Sequence, residues 1–180
     1  MNGLYLIKPT SIASTGTGNS SSINTNGSVT FSSCETLSLN GVFSADYDNY
    51  IIVARTVDAL GGYNFYGRLR VAGVDATASN YTRQSLNING TSITAGRSGD
   101  TAFRMKETGT LQNGMVVNIY GPFLAQPTAL RTIVVDNTAS ASMYENANTH
   151  SLSTSYDGIT LLSLNAVTFT GLVGVYGMVK

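Results

Sequence analysis

Nowhere in the chain do apolar residues keep up a 3.6-residue period, which removes helix bundles and alternating strand–helix folds from consideration. Apolar and β-branched residues come instead in about a dozen short runs, each ended by Gly, Asn, Asp or Ser. Ser28 to Phe31 and Leu37 to Leu39 alternate polar with apolar, and Tyr50 to Thr56 reads as a well-buried strand. Tyr66 to Val71 places Arg68 and Arg70 on one face and Leu69 and Val71 on the other. Leu86 and Ile88 lead into Asn89-Gly90, a pair suited to the positive φ angles of a tight hairpin, and Ile93 returns. Ala102 to Met105, Met115 to Tyr120, Ala129 to Val135, His150 to Ser155, Gly158 to Leu164 and Leu172 to Tyr176 complete the series, with a turn at Leu60 to Asn64. The fold expected is all-β: an antiparallel β-sandwich or jelly roll.

Two of the three prolines, Pro122 and Pro127, stand five residues apart between the runs ending at Tyr120 and beginning at Ala129. Proline has no amide hydrogen, so neither residue can donate to a strand ladder. The pair is expected to bracket a corner where the chain passes from one sheet to the other, with Phe123 and Leu124 turned into the core.

The start of the chain differs from the rest. Leu4, Tyr5, Leu6 and Ile7 form one short apolar strand, followed by a Gly/Ser/Thr/Asn stretch from Thr10 to Asn26 whose only large apolar side chains are Ile12 and Ile23. Such a stretch buries too little to order itself alone, so it is a linker, or an arm that gains order only by lying on something else. Residues 1–27 are therefore expected as an N-terminal strand with an extended polar arm, and 28–180 as the sandwich body. An isolated apolar strand lacks hydrogen-bond partners, so Leu4 to Ile7 are assembly candidates that pair with an edge of the body, a neighbouring copy or another protein.

Ten basic and ten acidic side chains cancel, and charged residues are only 11% of the chain, so no broad field exists to hold nucleic acid or an anionic membrane. No apolar stretch reaches the roughly 18 residues needed to span a bilayer, and the first residues lack the basic start of an export signal. Cys34, the one cysteine, rules out an internal disulfide and reads as a small buried hydrophobe.

The raw material for catalysis or cofactor binding is scarce. His150 is the sole histidine, and no Gly-x-Ser-x-Gly elbow accompanies it. The sequence from Gly16 begins like a dinucleotide loop but lacks the third glycine and the flanking strand and helix. Asp46, Asp48 and Asn49 lack the glycine and distal Glu of a calcium loop, so a solvated turn entering the strand at Tyr50 is expected. The acids at Asp46, Asp48, Asp58, Asp75, Asp100, Glu107, Asp136, Glu145 and Asp157 are scattered and single out no glycosidase pair. Arg83, Arg97, Arg104 and Lys106 make the middle locally basic, yet Asp100 and Glu107 are interspersed, which predicts a solvated strand face. No catalytic, cofactor or metal site is expected. The tripeptides matching the N-glycosylation pattern are what a chain this rich in Asn, Ser and Thr contains by chance.

Four blocks carry a resemblance: "GLYLIKPTSIAS" from Gly3, "VFSADYDNYIIV" from Val42, "VNIYGPFLAQPT" from Val117 and "GLVGVYGMVK" from Gly171. In that order they resemble small β-sandwich virion surface proteins of tailed bacteriophages. The likeness spans nearly the whole chain; the closing "VYGM" departs from it where a second aromatic is more usual. The resemblance implies a non-enzymatic structural component of the virion, made in the host cytoplasm: a tail-fibre or receptor-binding protein, or alternatively a capsid decoration (head-fibre) protein. It implies a homo-oligomer, commonly a trimer, with other virion proteins and a host surface glycan as partners. The neutral surface, ten tyrosines and no tryptophan also suit a carbohydrate-active or lectin-like domain.

Overall fold

The computed structural model describes residues 3–58, 64–106, 112–136 and 142–179, so the turn expected at Leu60 to Asn64 and the acid Glu107 lie almost wholly outside it. Among the described residues there is no helix, and two antiparallel sheets form a β-sandwich. The strands are β1 (Leu4–Ile7), β2 (Ser11–Thr15), β3 (Ser20–Ile23), β4 (Val29–Cys34), β5 (Thr36–Asn40), β6 (Tyr47–Asp58), β7 (Phe65–Val71), β8 (Val74–Asp75), β9 (Tyr81–Asn89), β10 (Ser92–Asp100), β11 (Phe103–Lys106), β12 (Gln112–Tyr120), β13 (Thr128–Asp136), β14 (Met143–His150), β15 (Gly158–Leu162) and β16 (Phe169–Val179).

The larger sheet runs β10-β9-β14-β13-β12-β6-β16-β4-β3, and β1 lies end to end with β4 along the same side of β16. The smaller runs β11-β7-β15-β5-β2, with β8 on β7. Alternate residues of each strand meet between the sheets, where Tyr50, Ile52, Val117, Ile119, Leu69, Ile159, Leu161, Leu37 and Leu39 form one core. Phe169 sits edge-on between Phe31 and Phe65, at ring-centroid distances of 5.4 and 4.5 Å. Cys34 is fully buried, and burial pushes its thiol above the ordinary value.

Three expectations are corrected by this arrangement. The two-proline segment joins β12 to β13, which are neighbours in one sheet, so it is a hairpin connection and not a crossing between sheets. Gly121 takes φ 67°, Phe123 packs on the core, and Leu124 turns outward. The run from His150 to Ser155 is not a strand: β14 ends at His150, and residues 151–157 lead irregularly into β15. The polar stretch from Thr10 to Asn26 is not a free tether. It supplies β2 to the edge of the smaller sheet and β3 to the edge of the larger, joined by a turn at Gly16 and Gly18. Its serines and asparagines bond to one another, as Ser14 Oγ does to Asn19 Oδ1 at 2.7 Å and to Ser21 Oγ at 3.0 Å. Ile7, Ile12 and Ile23 pack on the core, which gives the short polar strands their anchors.

Candidate functional site

Inward-facing residues account for the core, but the opposite face of the larger sheet is apolar too. Strands β6, β12, β13 and β16 carry apolar residues at both parities, as in Ile52-Val53, Val116-Val117 and Val134-Val135. An antiparallel sheet with one solvated face ordinarily alternates apolar with polar residues. Register fixes two adjoining rows on the outer face. Gly174, Val53, Val116 and Ile133 lie side by side, and next to them run Leu172, Arg55, Gly114 and Val135.

Gly174 and Gly114 put no side chain into these rows, leaving a groove of about 810 Å³. Val53, Val116 and Ile133 line its floor, and Leu172 and Val135, 48% and 54% exposed, stand beside the gaps. At one end Leu6 and Tyr176 lean over Gly174, where an added Cβ would lie 3.1 Å from each side chain. At the other, the Gln112 amide, turned with its oxygen toward Arg55, accepts from Nε and Nη2 at 3.0 and 2.8 Å. Farther along the same face Arg131 Nε donates to Glu145 Oε1 at 2.6 Å, a contact that raises the guanidinium's affinity for its proton. The groove offers apolar contact, one phenol ring, and polar groups that already have partners.

The residues singled out from sequence are dispersed. Leu4 to Ile7 pair with Met178 to Val175 of the same chain, with Leu6 at the groove and Leu4 and Tyr5 half exposed. His150 is fully buried at the end of β14, its ring 4.3 Å from Tyr81 and 5.2 Å from Tyr156 between centroids. Its Nδ1 accepts from the Leu152 amide at 3.2 Å, so the proton sits on Nε2, 3.3 Å from the Tyr156 hydroxyl. Burial lowers its pKa below the ordinary 6.5 and raises that of Tyr81, whose hydroxyl accepts from the Leu69 amide and donates to the Ala76 carbonyl. The histidine packs the fold.

Arg83, Arg97, Arg104 and Lys106 do not form one solvated face, because Lys106 is fully buried and Arg104 lies over the Tyr66 ring at 5.3 Å; of these four only Arg97 is openly exposed. Arg70, expected on an outer face, is buried there beside Asp75, its partner across the β7–β8 pair: its Nη1 donates to Thr160 Oγ1 at 2.9 Å, and Thr160 donates to Asp75 Oδ1 at 2.6 Å. Asp46 receives a hydrogen bond from Ser44 in the turn before β6. Among the described residues no three His, Cys, Asp or Glu side chains gather as a metal site.

Family models and curated proteins yield no match to the sequence. Structural likenesses are loose. A Caenorhabditis elegans galectin, LEC-6, is 7% identical with TM-score 0.38, covering 86% of this chain and 99% of its own. A human SPRY domain is 10% identical with TM-score 0.36, covering 86% and 96%. Domain 4 of AbnA, an extracellular arabinanase from Geobacillus stearothermophilus solved with arabinotriose, is 11% identical with TM-score 0.31, covering 94% and 83%. Likenesses this distant carry nothing about what the present chain binds.

Sequence reasoning missed the groove. The signal is the apolar residues at both parities of these strands, of which only Tyr50 to Thr56 reads as well buried from sequence.

Proposed function

We propose that the chain is a non-enzymatic structural component of a bacteriophage virion, of the tail-fibre or receptor-binding type, acting through the outer face of its larger sheet. The observation that carries this reading is the groove itself. A face whose floor is Val53, Val116 and Ile133, flanked by Leu172 and Val135, suits persistent contact with another surface rather than chemistry. The order of the four sequence blocks supplies the virion context, and a capsid decoration protein is the alternative within it.

A lectin-like reading draws on one specific feature, Tyr176 at the mouth of the groove with Arg55 and Gln112 across it, since sugars stack on a ring while polar groups hold their hydroxyls. Against it, the floor between them is aliphatic. The deciding experiment is immunogold labelling of purified particles together with a glycan array. Label on the tail is expected; regular label over the capsid selects the decoration role, and absence from particles overturns the virion reading.

A further inference from the structure

The apolar rows do not stop at the groove. Val135 continues through Met143 and Ile88 to Ile93 at the hairpin tip, and Ile133 through Glu145 to Leu86. Tyr176 pairs with Leu6, and Met178 with Leu4, on the same face. Of the large apolar side chains left exposed among the described residues, more than half lie on this one face.

We propose that the outer face of the larger sheet is the surface by which copies of this chain pack on one another. The proposal rests on the reading of that face as the working surface and names its occupant. Three observations favour a second copy. The first is area: from β10 to the strand flanking β16, β4 at one end and β1 at the other, are seven steps of about 4.8 Å, and the four rows from Leu172 to Met178 span about 20 Å, or roughly 670 Å² of face with its polar residues included. A stable interface buries about 800 Å² per partner, so a face of this extent is of the order that a second copy needs.

The second is charge. Glu145 neutralises Arg131 on the face itself, while Arg55, held by the neutral Gln112 amide, and Arg97 on β10 keep their charge there. Ten basic and ten acidic side chains leave the chain without the net charge that keeps identical molecules apart. The third is shape, because ridge and furrow occur on the same surface. Leu172 and Val135 stand out beside the side-chain gaps at Gly174 and Gly114, and a Cβ on Gly114 would meet nothing within 4 Å. Each copy thus offers a knob and a hole to its like, in a two-fold pair or around a closed ring.

The test measures mass by light scattering for the full chain and for Val135→Glu and Leu172→Glu, with Val74→Glu as control, since Val74 is 68% exposed on β8 of the other sheet. The wild type and control are expected at a multiple of 18.9 kDa, and the two face variants at the single-chain mass with unchanged circular dichroism and melting. Hydroxyl-radical oxidation of Met143 and Met178 in the wild type gives a measure independent of any variant. Both are about 40% exposed in the single chain and are expected to be protected as concentration rises. A wild type that stays monomeric, face variants that assemble as the wild type does, or oxidation independent of concentration would overturn the proposal. A monomer present on particles would defeat the pairing and leave the virion reading standing; an oligomer absent from particles would do the reverse.

Discussion

Acid should loosen this protein through one residue. His150 is neutral in the fold: its Nδ1 already accepts from the Leu152 amide, and the rings that contact it belong to Tyr81 and Tyr156, neither of which supplies an anion to stabilise an added charge. Protonation would set two N–H donors against each other inside the core. Because burial lowers the folded-state pKa below 6.5, the unfolded chain binds the proton first as pH falls. The stabilisation is therefore complete well above pH 6.5 and is lost as pH falls through 6.5 toward the folded-state pKa, at a slope of at most about 1.4 kcal/mol per pH unit. Between pH 6.5 and 5.5, before most carboxylates titrate, Tm should fall, by at most about 2–4 °C for a domain of this size, since one group whose folded form stays neutral costs about 1 kcal/mol over that range. Calorimetry across that range, with His150→Gln as the non-titrating control, measures it. A flat profile for the wild type, or the same slope in the variant, would refute the buried-neutral account.

Gly67 faces Phe103 across the β7–β11 pair, and a Cβ there would collide with the ring, so Gly67→Ala should cost about 1–3 kcal/mol in urea unfolding. Thr160→Val removes the hydroxyl that Arg70, Ser38 and Asp75 share, and should cost about 2–3 kcal/mol by chemical denaturation, because buried polar groups are left unpaired. Truncation before Ser28 removes β1, β2 and β3 and strips Ile7, Ile12 and Ile23 from the core, so Tm should fall by about 6 °C or more, at roughly 1 kcal/mol per partly buried isoleucine; an unchanged melting curve would show that the body stands alone. Association rates should change little between low and moderate salt, since no net charge steers the encounter; surface plasmon resonance reads this directly, and a steep fall would implicate the exposed Arg97.

The all-β class and most strand positions were legible in the sequence, because alternation, β-branching and turn dipeptides act over a few residues. The Asn89-Gly90 hairpin is the clearest case: Gly90 adopts φ 59°, and β9 and β10 pair in register from Ser92–Asn89 to Asp100–Tyr81. What lies on each face of a strand was only half legible. Local sequence states that Val53 and Ile52 point opposite ways, but which of two apolar faces meets the other sheet depends on partners far along the chain. Tertiary structure alone put Ile52 in the core and left Val53 45% exposed between Gly174 and Val116. The segment from Thr10 to Asn26 shows the same division. Its composition predicts no order by itself, and it is ordered because β4 and β5 present open ladders that satisfy its backbone. Arg70 likewise reads as a surface residue in an alternating strand. It is buried where β8 turns back to pair alongside β7 and brings Asp75 beside it, a contact that chain topology creates and no local pattern announces.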